Sequence, residues 1–286
     1  MLRRIVSEAI DHSPSDYQSS SPTGPIYPKM DSNPMTPARP SPSDSTHLDR
    51  PIHSIPEAIL LDLDDTLWPL APSMQAAENA LRDWLEEHAP ATGRLLDTGR
   101  RAELRAQVLS DHRERAHDMS FTREELLRRA LLEAGEDHRL APTAFSVFIT
   151  ARRQVEPYPE VPEVLSRWST RFRLIALSNG NADVMSTSLG RFFFGAVNPI
   201  TAGVAKPDSR IFHYACSIAG VQPERALHIG DDPELDLIGA RRAGLQGAWL
   251  VRDEHTHRHA ADACGDWHPA PFSNLQSIEA ALARLD

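Results

Sequence analysis

The chain has 286 residues, of which 41% are hydrophobic and 24% charged, and its net charge is −10. This length allows one large domain or two smaller ones with a hydrophobic core. The acidic balance argues against non-specific nucleic-acid binding, and no apolar run approaches the roughly 20 residues of a membrane-spanning helix. Cys216 and Cys264 have neither metal-ligand spacing nor a disulfide framework. We therefore expect a reduced, cytoplasmic protein.

The first segment of the chain, residues 1–53, is rich in proline and serine and lacks apolar periodicity. Such a segment cannot bury enough apolar surface to offset the entropy lost on ordering. We therefore predict a disordered leader over 1–53. Met30 and Met35 lie inside it, so either could be the true start, and the intact mass of the natural product would decide.

A short apolar run at residues 59–61 predicts a buried strand, and it ends in Asp62, Asp64 and Asp65. An ionised carboxylate is costly to bury unless it is paired or binds a metal. In an extended chain Asp62 and Asp64 share a face. Two neighbouring carboxylates favour a divalent cation, and Mg²⁺ is the first candidate. The alternative is an ordinary acidic turn, because aspartate is common in turns.

The next stretch is predicted to be entirely helical. After a proline-interrupted connector at 68–72, Ser73 is the predicted N-cap of a first helix, and Thr122 with Glu125 has the spacing of a capping box. The later helices are predicted over about 93–116, 122–134 and 142–155. No strand pattern interrupts the stretch, so we predict a helical cap over residues 71–157.

From about residue 157 the pattern alternates between strands and helices. Strands are predicted at 172–177, 196–200, 225–229 and 247–251, and helices at 161–170, 182–190, 209–219, 234–243 and 273–285. This alternation is typical of a parallel sheet covered on both faces. We therefore predict a three-layer, Rossmann-like α/β core formed by 54–70 and 158–286, with the cap inserted after the first strand.

Three predicted strands end in polar side chains that the topology should bring together. In a parallel sheet the carboxyl ends of the strands share one edge, where ligands bind. Carboxylates, a hydroxyl, an amide and a lysine are the groups that phosphoryl transfer requires. The residues are Asp62 and Asp64, Ser178 and Asn179, and Asp231 and Asp232, with Lys206 in an intervening loop.

Lysine is rare in this chain. Of 30 basic residues only Lys29 and Lys206 are lysines, and the other 28 are arginines. A compact ammonium and a planar guanidinium are not interchangeable at a site that needs a point charge. Lys206 is therefore a candidate site residue, the alternative being that it persists by chance.

Four motifs in this order and spacing resemble those of the haloacid dehalogenase-like (HAD) hydrolases, in particular subfamily I with a helical C1 cap. The resemblance covers about residues 57–252. The motifs are Asp62-Leu-Asp-Asp-Thr66, Ser178-Asn-Gly180, Lys206-Pro-Asp208 and Gly230-Asp-Asp-Pro-Glu-Leu-Asp236.

The resemblance implies that Asp62 is the nucleophile and that Asp64 is the general acid and base. It implies Mg²⁺ held by the carboxylates of Asp62 and Asp231 and by the backbone carbonyl of Asp64. Ser178 and the backbone amide of Asn179 would bind phosphoryl oxygens, and Lys206 would pair with Asp62 and the phosphate. Asp236 would orient the metal site from behind, Asp232 would act through water or be a solvated turn residue, and Thr66 would shape the turn.

The same resemblance narrows the reaction. Asp64 disfavours the dehalogenases, which use no metal and lack this second acidic residue. The absence of lysine from 68–157 disfavours the phosphonate-cleaving branch. The resemblance therefore implies a Mg²⁺-dependent phosphatase that acts on a small phosphomonoester. The sequence is similar to the riboflavin-pathway branch, which dephosphorylates a phosphoribitylamino-uracil. His117, Asp118 and Arg123 either face the substrate or lie at an exposed helix end.

Two other functions stay open. A phosphomutase shares all of the core motifs, and a non-catalytic protein could bind a phosphorylated ligand or a partner, although a pure binder has no need of Asp64. The expected partner is a small phosphorylated metabolite, with no nucleic acid and no membrane, and the protein is a monomer or dimer. His255, His257 and His259 are interpreted as a solvated loop rather than a metal site.

Overall fold

The computed structural model describes residues 52–252 and 270–285. Nearly all of the predicted leader, together with Cys264 and the histidines at 255, 257 and 259, lies outside the described residues. Within the described ranges, no helix is long and apolar enough to cross a membrane.

Five parallel strands form one sheet in the order β3-β2-β1-β4-β5. The first strand lies at the centre and pairs with both β2 and β4. This arrangement confirms the predicted Rossmann-like α/β fold. The strands are β1 (Ala58–Leu61), β2 (Arg173–Leu177), β3 (Gly195–Val197), β4 (Ala226–Gly230) and β5 (Gln246–Trp249).

Within the described residues, the α-helices fall between and after these strands. In chain order they are α1 (Leu70–His88), α2 (Pro90–Leu96), α3 (Arg100–Asp111), α4 (Met119–Glu133), α5 (Ala141–Arg152), α6 (Val161–Trp168), α7 (Pro199–Ala202), α8 (Ser209–Ala219), α9 (Gly239–Arg242) and α10 (Leu275–Leu282). A π-helical segment, Pro233–Ile238, leads directly into α9.

The sheet is the middle layer of three because alternate residues of β1 face opposite sides. Ile59 and Leu61 pack with α6 and α10 in one apolar cluster. Ala58 and Leu60 pack with α8 in another. A strand buried on both faces reads as a continuous apolar run, which is why β1 is visible in the sequence.

Helices α1 to α5 have an apolar core of their own. Leu81, Leu104, Leu127 and Phe148, one from each of the four longer helices, are buried in a cluster that contains no sheet residue. These five helices follow β1 and precede β2, so they form a helical layer beside the carboxyl end of the central strand. We call them the cap.

Two predicted helix starts are wrong. The first cap helix begins at Leu70, not after Ser73, and Asp65 Oδ1 accepts from the Leu70 amide at 2.9 Å. Similarly, α4 begins at Met119 with Asp118 as its N-cap, so Thr122 lies inside the helix. In both cases an aspartate nearer the N-terminus supplies the capping oxygen.

Two predicted helices are also interrupted. The stretch 93–116 is divided between α2 and α3, with a further 3₁₀ turn at Arg113–Arg115. Instead of a helix at 182–190 there are two 3₁₀ turns. There the Asp183 carboxylate accepts from Met185 N and the Thr187 hydroxyl from Leu189 N, and such local bonds compete with helical hydrogen bonding.

Candidate active site

The acidic ends of two neighbouring strands meet at the carboxyl edge of the sheet. Asp62 follows β1 directly, and its amide donates to Ile229 O at 2.9 Å, which continues the pairing with β4. Asp231 follows β4. One carboxylate oxygen each of Asp62, Asp231 and Asp236 lies within 4.8 Å of the others, so the topology brings together groups that are 174 residues apart (236 − 62).

Lys206 is the cation at the centre of this cluster. Its Nζ lies 2.7 Å from Asp62 Oδ1 and 2.5 Å from Asp236 Oδ1, and the residue is only 4% exposed. His228, which is buried in β4, places Nε2 2.9 Å from the same Asp236 oxygen. An ammonium buried to this degree requires such partners, because each lone buried charge is costly.

Asp236 is held by contacts on both of its carboxylate oxygens. Oδ1 contacts Lys206 and His228, and Oδ2 accepts from the Asp232 amide at 3.0 Å. A Cβ atom added at Gly230 would lie 2.2 Å from Asp236 Oδ2, so only glycine leaves room for this carboxylate. Asp236 therefore supports Lys206 from behind.

Burial raises the pKa of two carboxyl groups in the cluster. The pKa of Asp62 rises to about 7, because the cost of burial exceeds the attraction of Lys206. The pKa of Asp231 rises to about 8 through burial and the neighbouring charges of Asp62 and Asp236. In contrast, the pKa of Asp236 falls well below its usual range, because Lys206 and His228 outweigh burial.

Asp64 points toward the cap. Arg152 Nη2, at the end of α5, lies 2.6 and 2.5 Å from the two carboxylate oxygens of Asp64. The Trp68 indole also donates to Asp64 Oδ1 at 2.8 Å, and Arg152 Nη1 donates to the Ser73 hydroxyl at 2.9 Å. Arg152 is 1% exposed, so it forms a buried charged contact between the cap and the first motif.

The loop after β2 approaches Asp64 closely. A Cβ atom added at Gly180 would lie 3.1 Å from Asp64 Oδ2 and 3.4 Å from Ser178 Oγ. The Asn179 side chain pairs with the backbone of Lys206, through Oδ1 to N at 2.8 Å and Nδ2 to O at 3.0 Å. The structure thus connects the second motif to both the first and the third.

The remaining predicted residues have other positions. The Thr66 hydroxyl lies 3.4 Å from Asp231 Oδ1. The Asp232 carboxylate caps the following helical segment by accepting from the Glu234 and Leu235 amides. Arg123 lies within the cap, paired with Glu78 at 2.7 Å, and Asp118 is a helix cap. Neither of these two belongs to the carboxylate cluster.

Sequence reasoning did not assign roles to Arg152 or His228. Arg152 is one of 28 arginines, and nothing local distinguishes it from those on the surface. His228 was visible as a polar residue inside a predicted buried strand, a position that requires a hydrogen-bond partner. That signal could have identified it as a support for the acidic cluster.

The donor set fits a hard divalent cation such as Mg²⁺. Asp62 and Asp231 each present a carboxylate oxygen to the cluster. Burial raises the pKa of both groups, so a second cation besides Lys206 would stabilise their charged forms. Asp236 contributes less, because its oxygens are already engaged.

We expect these carboxyl groups to make the metal-free protein less stable as pH rises. A carboxyl whose pKa is raised in the folded state binds more protons than in the unfolded state, so stability falls between the unfolded value near 4 and the folded values of about 7 and 8. Each titrating group contributes about 1.4 kcal/mol per pH unit. Asp231→Asn removes one such group, so in EDTA its melting temperature should exceed that of the wild type at pH 8.

The measurement is the difference in the free energy of unfolding between Asp231→Asn and wild type from pH 5 to 8.5. The advantage of the variant should shrink toward pH 5. A difference that does not change with pH would show that Asp231 carries no raised pKa.

Comparison with known proteins identifies a matching family and related enzymes. A family model described as haloacid dehalogenase-like hydrolase matches residues 56–244. The 5-amino-6-(5-phospho-D-ribitylamino)uracil phosphatase YigB of Escherichia coli is 29% identical over 70% of this chain and 85% of its own. A glyceraldehyde 3-phosphate phosphatase of Methanopyrus kandleri is 30% identical over the same shares.

A solved structure supports the same fold. The protein described as 2-haloacid dehalogenase from Pseudomonas syringae pv. tomato is 36% identical, with a TM-score of 0.74, over 81% of this chain and 100% of its own. These two relatives are thus named as phosphatases and this neighbour as a dehalogenase.

Proposed function

Because the chain belongs to the haloacid dehalogenase-like hydrolase family, we propose that it is a Mg²⁺-dependent phosphatase acting through an aspartyl-phosphate. The substrate class is a small phosphomonoester of the sugar, ribityl or flavin type. The observation that carries the proposal is the cluster in which Asp62, Asp231 and Lys206 meet beside Asp64.

In the first step, a carboxylate oxygen of Asp62 forms a bond to phosphorus as the bond from phosphorus to the alcohol oxygen breaks. Asp64 gives a proton to the leaving oxygen. In the second step, Asp64 takes a proton from water, whose oxygen attacks phosphorus and releases Asp62 and inorganic phosphate. The contact with Arg152 and Trp68 orients Asp64 for both steps.

Three groups are suited to bind the phosphoryl oxygens. Ser178 lies at the carboxyl end of β2, and its hydroxyl already accepts from the Gly180 amide at 3.0 Å. The Asn179 amide follows it in the same loop. Lys206 supplies a positive charge on the side of Asp62. The Asn179 side chain positions Lys206 through its backbone.

Mg²⁺ would be held by the carboxylates of Asp62 and Asp231 and the backbone carbonyl of Asp64, with Asp236 and Thr66 behind them. When bound, the ion reduces repulsion between an anionic nucleophile and an anionic substrate. The clustered carboxylates and the raised pKa values of Asp62 and Asp231 support this assignment.

Dehalogenation is the second candidate, because the Pseudomonas syringae structure carries that name. It would use the same nucleophile, with a carbon atom under attack. The carboxylate cluster and Asp64 favour phosphoryl transfer, since a second acidic residue that protonates an alkoxide has no use when the leaving group is a halide.

The deciding experiment measures phosphate release from a panel of phosphomonoesters, with Mg²⁺ and with EDTA, beside chloride release from 2-chloropropionate. We expect phosphate release that depends on Mg²⁺ and no chloride release. Chloride release without phosphate release would establish the dehalogenase. No turnover by the folded protein would favour a non-catalytic protein that binds a phosphorylated ligand.

A phosphomutase of the same fold remains an alternative, and it would isomerise a substrate with little net phosphate release. The proposed partner is a small phosphorylated metabolite, without nucleic acid or membrane, for a cytoplasmic protein that is a monomer or dimer. Among the described residues Cys216 is a buried free thiol, which is compatible with a reducing compartment.

A further inference from the structure

A cavity lined mostly by cap residues also borders the loop after β2, through Asn181. Its apolar wall is formed by buried side chains, including Leu81, Leu126, Leu127 and Phe148. Its volume is about 120 Å³, roughly ten times the space that one water molecule needs. We call this space the cap cavity.

Three residues that line the cap cavity are close in sequence to residues of the candidate active site. Asn181, three residues after Ser178, lines it. Phe148 also lines it and precedes Arg152 by four residues on α5, about 6 Å along the helix axis, and Arg152 contacts Asp64. Met74 lines it directly after Ser73, which accepts a hydrogen bond from Arg152. The cap cavity therefore borders the segments that carry Ser73, Arg152 and Ser178.

The charge around the cap cavity is positive although the chain is acidic. Among the described residues, every charged side chain that lines it is an arginine: Arg101, Arg105 and Arg123. Glu78 pairs with two of them, Arg101 and Arg123, at 2.7 Å each. One carboxylate against three guanidinium groups leaves an excess of two positive charges.

Arg123 is partly withdrawn from water, whereas Arg105 lines the cavity but is exposed. The Arg123 guanidinium lies 3.7 Å from the centroid of the Phe148 ring, and the pKa of Arg123 falls because burial and the nearby Arg101 and Arg105 outweigh the attraction of Glu78. A cation held against this cost favours an additional anion. The planar guanidinium of an arginine also offers a fork of donors that fits a carboxylate or a phosphate.

We infer that the cap cavity binds the organic part of the substrate and selects phosphomonoesters whose organic part is compact and carries a second negative charge, a carboxylate or a phosphate. This inference rests on the proposed function and narrows its substrate class. Arg105 and Arg123 are the residues that recognise the second charge, and the apolar wall excludes water from it.

The test compares two nearly isosteric substrates, 3-phosphoglycerate and glycerol 3-phosphate, which differ in a carboxylate for a hydroxymethyl group. We expect kcat/KM to be at least about tenfold higher for 3-phosphoglycerate, the effect of one charge-assisted hydrogen bond. Arg105→Gln should reduce that ratio at least about threefold. Arg113→Gln, an exposed cap arginine outside the cavity, is the matched control and should leave the ratio unchanged.

Two further comparisons complete the panel. Fructose 1,6-bisphosphate is compared with fructose 6-phosphate, which tests a second phosphate in place of a carboxylate. Flavin mononucleotide tests a large ligand. Equal kcat/KM within both pairs, or a preference for the neutral members, would overturn the charge selection while leaving the phosphatase intact. If no ester is hydrolysed, calorimetry with Asp62→Asn still decides, since equal affinities for 3-phosphoglycerate and glycerol 3-phosphate would refute the inference.

Discussion

Replacing Asp62 with asparagine is expected to lower phosphate release by about 10⁴-fold or more, because an amide cannot form the covalent intermediate. The shape of the side chain is nearly unchanged, and Lys206 keeps its contact with Asp236 at 2.5 Å. The variant should therefore fold. Asp62 also has a pKa raised by burial, so the metal-free variant should be at least as stable as the wild type at pH 8.

Two measurements make this result specific. Acid quenching of the wild type during turnover should trap a phosphoryl group on the peptide that contains Asp62, and the variant should show none. Asp65→Asn is the matched control, because Asp65 lies three positions along the chain and its carboxylate caps α1 instead. Turnover by Asp62→Asn above a tenth of the wild-type rate would exclude Asp62 as the nucleophile.

The second large effect concerns stability. Lys206→Met should lower the free energy of unfolding by about 3–5 kcal/mol near neutral pH, the usual cost of removing one partner from a buried ion pair. Asp236 is 1% exposed and would keep only His228 and the Asp232 amide, while Asp62 would lose its nearest cation. Activity should fall as well, because the charge that we propose binds the phosphoryl group is lost.

The loss of stability in Lys206→Met should depend on pH. Without the ammonium, the pKa values of Asp62 and Asp236 rise in the folded state. The folded state then binds more protons than the unfolded one, so the destabilisation should be larger at pH 8 than at pH 5. Chemical denaturation at both pH values measures it. Lys206→Arg retains the charge and should lose less stability than Lys206→Met at pH 8, and equal losses in the two variants would show that packing, not charge, is responsible.

The sequence alone determined the sheet and the acidic edge. The central strand is buried on both faces, so it appears as an uninterrupted apolar run, and Asp62 stands out because a carboxylate at the end of such a run requires a cation. Lys206 was visible for a different reason, since it is the only lysine beyond residue 29. These signals are local, or depend only on the shared direction of parallel strands.

The tertiary structure decided which of several chemically equivalent residues take part. Arg152 is indistinguishable in sequence from Arg153, yet Arg152 contacts Asp64 across the cap boundary while Arg153 is exposed. The start of α1 likewise depends on Asp65, which caps the helix from five residues away. The excess of arginine around the cap cavity appears only when α1, α3, α4 and α5 have packed. Local patterns in the sequence specify where the strands run. Contacts between distant side chains depend instead on how the helices pack, and no short stretch of the sequence encodes that packing.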